Sequence, residues 1–267
     1  MKPFRSLFPA WVLMALASAN VQAQTAATQP RLVPVTSAGI GQLPPPWAYQ
    51  GLPDQEKKSI PPSDIAVADL EGQPALRLLT NASYGTLIHP WQGPPEGRRL
   101  RWQWRLDKPL SGGKAPPDLK TKPGDDAALK VCVMFDQPLD RMSFGERTLL
   151  RFARSVSGKE LPAATLCYIW DSTYAAGLRG ENPYSRRVRY VVAKGKSAPV
   201  GTWQPEERDI EADFRERFAD ELPPDGEPLP PISHIAVGAD SDNTGSQSLG
   251  WIKQLQWATV PAPEAPR

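Results

Sequence analysis

Histidine and cysteine are scarce: 267 residues contain only His89, His234, Cys132 and Cys167. Neither histidine has a carboxylate or cysteine at metal-ligand spacing, which argues against a zinc site of the His/Cys type. His89 precedes a proline and reads as a turn residue, and His234 opens an apolar run and reads as a strand residue. The chain also lacks a Gly-x-Ser-x-Gly elbow, a phosphate-binding glycine loop and a dinucleotide fingerprint. Hydrolase, kinase and dehydrogenase readings that rest on those motifs lose their support, and no catalytic centre is identified. A charge excess is missing as well. There are 31 Lys+Arg and 29 Asp+Glu; residues 1–23 hold two basic residues, Lys2 and Arg5, and no acidic ones, so 29 of each follow. Nucleic-acid binders draw most of their affinity from a basic excess, so no nucleic-acid partner is expected. The clusters Arg98-Arg99-Leu100-Arg101 and Arg186-Arg187-Val188-Arg189 read as solvated strand faces.

No apolar run is long enough to span a bilayer. The first one, Leu7 to Ala17, follows a positive start and precedes the small-x-small pattern Val21-Gln22-Ala23. That order is the mark of an export signal cut after Ala23, with release into the periplasm or medium and no membrane span afterwards. No cysteine stands where a lipoprotein would need one. In an oxidising compartment an even cysteine count suggests a disulfide. Cys132 and Cys167 lie in matching contexts, Val-Cys-Val-Met-Phe-Asp and Leu-Cys-Tyr-Ile-Trp-Asp. A bridge between adjacent strands and a pair of buried thiols both fit them.

What the chain has in quantity is proline, 31 residues, often paired between apolar stretches. Proline cannot donate to a ladder or continue a helix, so these pairs mark loops and count against a helical bundle. Residues 24–46 read as a flexible Pro-rich tail, 47–260 as one β domain and 261–267 as a disordered end. Leu100, Trp102, Trp104 and Leu106 alternate with polar residues, which predicts a strand with one apolar face and both tryptophans in the core. Residues 128–135 and 165–170 are nearly continuous apolar runs, expected of central strands covered on both faces. Nine or ten such segments predict a mostly β, two-sheet sandwich or jelly-roll-like domain. Two short helices are expected. One follows the Ser143-x-x-Glu146 capping box between the cysteine strands, and one spans 212–219 with Phe214 and Phe218 on one side.

The most distinctive polar segment is Gly238 to Ser246. Asp240, Asp242, Asn243 and Thr244 offer hard oxygens of the kind calcium takes, without the bidentate glutamate of a calcium loop. The same residues suit a tight turn that bonds its own amides. Asp125 and Asp126 begin the Cys132 strand, where they cap backbone amides or meet a neighbouring arginine; were Asp126 to meet Asp242, an acid/base pair or a cation site would follow. Eight tryptophans follow residue 23, and rings beside carboxylates and amides are how many sandwich modules grip sugars. Trp170, Asp171, Tyr184 and Arg187, together with Asp126, form the set expected to meet a ligand.

Several stretches occur together in order: Gly124-Asp125-Asp126, Tyr168-Ile169-Trp170, Pro183-Tyr184, Arg187-x-x-Tyr190-Val191-Val192, Trp203 with Glu207-Arg208-Asp209, Asp213-Phe214, and Asp240-Ser241-Asp242-Asn243-Thr244-Gly245. Over residues 65 to 258 this series resembles the bacterial family called domain of unknown function 3047. The resemblance implies an exported β-sandwich and carries no activity. The expected function is therefore an exported, non-catalytic β-sandwich that binds a ligand, with a glycan as the foremost candidate. A carboxylate-based glycan hydrolase and an accessory module that meets a cell-envelope protein are the alternatives.

Overall fold

The computed structural model describes residues 31–52, 55, 56, 58–157 and 161–258. The expected export signal, residues 24–30 and the expected 261–267 tail lie outside the described residues. Twelve strands are described: β1 (Ala48–Gln50), β2 (Asp64–Leu70), β3 (Gln73–Asn81), β4 (Tyr84–Gly93), β5 (Arg99–Ser111), β6 (Leu129–Phe135), β7 (Ala164–Trp170), β8 (Arg179–Glu181), β9 (Val188–Lys194), β10 (Gln204–Asp209), β11 (Ile232–Asp240) and β12 (Gln247–Trp257). They form a seven-stranded sheet, in the order β1-β4-β11-β6-β7-β9-β8, and a five-stranded sheet, β10-β5-β12-β3-β2. All pairs are antiparallel except β7 with β9. The fold is the mostly β two-sheet sandwich that the alternating and continuous apolar runs predict.

The core lies between the sheets. Period-two alternation sends Leu100, Trp102, Trp104 and Leu106 of β5 inward, each almost fully buried. They meet the inner face of β7, where Trp102 lies 5.6 Å from Tyr168 and Trp104 lies 5.6 Å from Trp170, ring centre to ring centre. Gly250 of β12 lets the sheets close up, since a Cβ there would stand 2.5 Å from Leu129. The capping box also holds: Ser143 Oγ lies 3.4 Å from the Glu146 amide and 2.7 Å from its carboxylate, opening helix α1 (Phe144–Ser157) between β6 and β7. Helix α2 (Ile210–Arg217) starts two residues earlier than the sequence suggests, because Asp209 accepts from the Ala212 amide. Phe214 and Phe218 stack at 4.8 Å and close one end of the core.

Two expectations need correction. Residues 31–46 are not a loose tail. Leu32 and Val35 are buried, Trp47 donates to the Val33 carbonyl at 2.7 Å, and the Val33 amide donates to His89 Nε2 at 3.1 Å. Three apolar residues in a proline-rich context suffice to dock the segment. His89 is accordingly a buried β4 residue that accepts this bond and not a turn residue.

Candidate functional site

The outer face of the seven-stranded sheet is not covered by a second layer as the continuous apolar runs suggest. It forms a groove of about 580 Å³. The floor follows from strand parity. On β6 the inward residues are Leu129, Val131, Val133 and Phe135, so Lys130, Cys132 and Met134 face the groove. On β7 the same rule turns Thr165, Cys167 and Ile169 outward, and on β11 it turns out Ala236 and Asp240. Cys132 and Cys167 are direct cross-strand partners joined by a disulfide, which therefore lies in the middle of the groove floor.

One end of the groove is acidic. The loop after β11 turns on Gly245, whose φ of 67° suits glycine. Asp126 fastens this loop: its carboxylate accepts from the amides of Asn243 at 3.2 Å and Thr244 at 2.7 Å, and from the Thr244 hydroxyl. Asp240 accepts from the Ala127 amide at 2.9 Å and from the Lys130 ammonium at 2.8 Å. Asp126, Asp240 and Asp242 each place an oxygen within 4.8 Å of the others. Asp242 keeps one buried carboxylate oxygen without a hydrogen-bond partner. Asp125 holds Asn182, and Tyr184 at the rim donates to Asn243 Oδ1 at 2.8 Å.

Crowding carboxylates away from water makes their charge costly. Burial, then Asp240, pushes the Asp125 carboxyl up to about 7, against the opposing pull of Lys130 and the Asn182 hydrogen bond. Burial, then Asp240 and Asp126, pushes Asp242 up to about 6. Asp240 is also raised by burial, with Lys130 opposing. Burial disfavours the Lys130 charge, yet Asp240 and Tyr84 outweigh it and hold the ammonium firmly protonated.

These directions give a pH prediction. An acid whose folded-state value is raised destabilises the fold when ionised. Its penalty is absent below the unfolded value and complete above the folded one. Asp125→Asn is therefore expected to stabilise the protein by about 2–3 kcal/mol at pH 8, with the gain shrinking as pH falls below about 7 and vanishing below about pH 4. His89 and His234, both lowered by burial, oppose the trend in the wild type below about pH 6.5. The diagnostic is thus the difference between wild type and variant in urea midpoint across pH. A variant that is less stable at pH 8 would refute the charge assignment.

The sequence-predicted residues divide. Tyr184 lines the groove, and Asp240, Asp242 and Asn243 stand at its acidic end. Asp126 lies just behind them as the loop fastener. Trp170 does not reach a ligand, because parity turns it into the core against Trp104. Arg187 lies on the inner side of the sheet with Arg189, where both are buried on Glu221 at 2.8 and 2.9 Å. Asp171 is buried at the end of β7, where it accepts from the amides of Thr173 and Tyr174. The sequence alone does not single out Lys130, Tyr84 or Tyr190, nor does it mark Asp125 as a groove residue. The alternation of Lys130, Cys132 and Met134 was the available signal.

Of the four residues whose oxygens suit either a calcium ion or a turn, only Asp242 has a free carboxylate oxygen. Asp240 is closed by Lys130, and the Thr244 hydroxyl is closed by Asp126 and Ser246. The Lys130 ammonium pairs with Asp240 and offsets part of the carboxylate charge. Calcium or a chelator is therefore expected to leave the melting midpoint unchanged. A clear rise with calcium would make the cluster a cation site, since a ligand bound only by the native state must stabilise it.

Fold and site together define a two-sheet β-sandwich with a groove, acidic at one end, across the outer face of one sheet. The chain belongs to the family described as "Protein of unknown function (DUF3047)", whose model matches residues 46–256. Among solved structures it is similar to endoglucanase 3 of family GH12 from Trichoderma harzianum, at 10% identity and a TM-score of 0.39, over 80% of this chain and 100% of that one. A family 12 xyloglucanase from Bacillus licheniformis is similar at 7% identity and a TM-score of 0.39, over 72% and 84% of the two chains. Carbohydrate-binding modules of the β-sandwich superfamily are similar at 11% identity and a TM-score of 0.33, over 80% and 57%. Similarities this faint carry no inference of activity. No curated protein matches the sequence.

Proposed function

We propose that this is an exported, non-catalytic binding protein that holds a neutral or amino-bearing saccharide in the groove of the seven-stranded sheet. The observation that carries the reading is the groove itself. A volume of about 580 Å³ with an apolar floor and a few convergent polar groups at one end is the usual form of a small-molecule site. Sugar rings have apolar faces and outward hydroxyls. The faces suit Met134, Ile169, Ala236 and the rings of Tyr84, Tyr184 and Tyr190, while the hydroxyls suit Asp125, Asp242 and Asn182. An acidic end repels anionic ligands and favours donors, which narrows the class to neutral or cationic sugars. The expected export signal supports the reading, since it would bring the protein to the compartment where envelope glycans are found.

Affinity electrophoresis through gels containing neutral polysaccharides tests this reading. Retardation by at least one of them is expected, together with about tenfold weaker retention of Tyr184→Ala through loss of ring contact. Equal mobility with and without every polysaccharide would refute it. One observation favours hydrolysis as a second reading: Asp125, near 7, could stay protonated as an acid while a neighbouring carboxylate is ionised. Release of reducing ends from a retained polysaccharide, abolished in Asp125→Asn, would establish that reading instead.

A further inference from the structure

Among the described side chains of helix α1, three of the four large apolar ones stand in solvent. Phe144, Leu149 and Phe152 are 77%, 64% and 65% exposed, whereas Leu150 on the opposite side is buried under Met142 and Ala163. At 100° per residue, positions 144, 148, 149 and 152 fall on one broad outward stripe. Scattered exposed apolar residues are ordinary, but three of the largest side chains on one 14-residue helix are not.

The charges around the stripe say what covers it. The helix carries Arg147, Arg151 and Arg154 against a single acid, Glu146. Glu146 is turned away to Ser143 and stands 3.7 Å from the buried Arg187. Arg147 and Arg151 border the stripe, with the Arg147 guanidinium 5.9 Å from the Phe144 ring centre, and Arg151 is exposed. Phenylalanine and leucine facing outward with arginines along the border is the pattern of a helix that lies in a lipid headgroup layer. The arginines would meet phosphates while the apolar side chains enter the acyl boundary.

We propose that α1 is an interfacial anchor that docks the protein on an anionic bilayer surface. The helix does not span the membrane; it lies along it. The anchoring is weak and reversible, because three side chains bury little area. Leu161 and Pro162, which follow the helix, line the groove, so a docked α1 sets the groove beside the membrane surface.

The test is sedimentation of residues 24–267 with vesicles of phosphatidylethanolamine and phosphatidylglycerol, and with vesicles of phosphatidylcholine alone. Binding to the anionic vesicles is expected, weakened by salt and absent from the neutral ones. Leu149→Glu/Phe152→Glu is expected to lower partitioning by roughly tenfold or more, since both side chains are already exposed and the fold does not depend on them. Arg147→Glu/Arg151→Glu is expected to remove the salt-dependent part. An unchanged melting midpoint establishes that each variant is folded. No binding to anionic vesicles, or binding that both variants retain in full, would overturn the proposal. A concentration-dependent dimer that the first variant abolishes would overturn it in favour of a second copy of this chain.

Discussion

Glu221→Ala is expected to lower stability by about 3–5 kcal/mol, a large share of what holds a domain of this size together. Glu221 is buried between two arginines that are themselves buried. Its Oε1 accepts from Arg187 at 2.9 and 2.8 Å and from Arg189 Nη2 at 2.9 Å. Without the carboxylate, Arg189 keeps the partly exposed Asp220, but among the described acids Arg187 keeps only Glu146 at 3.7 Å. A guanidinium left in a dry site without a partner costs far more than the intact pair contributes. Replacing Glu221 and both arginines together by apolar residues of similar size should recover most of the loss. Urea denaturation of the single and triple variants checks both statements. A single variant within 1 kcal/mol of wild type would show the arginines to be hydrated, contrary to this account.

Removing the disulfide is expected to cost a similar amount. Cys132 and Cys167 are 35 residues apart, and opening a loop of that length releases chain entropy worth about 4 kcal/mol in the unfolded state. For a domain of this length the corresponding fall in melting midpoint is on the order of 10 °C. The loop contains α1, whose outward face adds little packing, so little else compensates. The variant Cys132→Ala/Cys167→Ala should match reduced wild type in differential scanning calorimetry. Equal midpoints in oxidised and reduced protein would show that the bridge does not act on the unfolded chain. The bridge also has a place in the proposed function. Its sulfurs form part of the groove floor, so the alanine variant should bind ligand more loosely even below its melting range.

Strand β5 was legible because Trp102 and Trp104 alternate with polar residues, which fixes both the element and its buried face. The capping box at Ser143 was legible for a similar reason: the signal lies within four residues. Trp170 was not legible. β7 is apolar on both faces, so its sequence does not reveal which parity faces the core. The answer lies in its pairing, where Leu166 stands beside Arg189 and Cys167 beside Tyr190. That register sends Trp170 and Arg187 inward and Tyr190 outward. The loop at Asp240–Gly245 was singled out correctly as a place, but the partner that holds it, Asp126, is 118 residues from Thr244. The groove escaped the sequence altogether, because it is assembled from the lateral order β4-β11-β6-β7 and no local pattern encodes that order.

The central claim is that a saccharide occupies the groove of the seven-stranded sheet. Its most direct test is a glycan array probed side by side with residues 24–267 and with the double variant Tyr184→Ala/Asp242→Asn. The account predicts selective retention of neutral or amino-bearing glycans by the wild-type protein, no retention of sulfated or uronic ones, and at least a tenfold weaker signal from the variant. No retained glycan, or the same glycans held equally by both proteins, would contradict it.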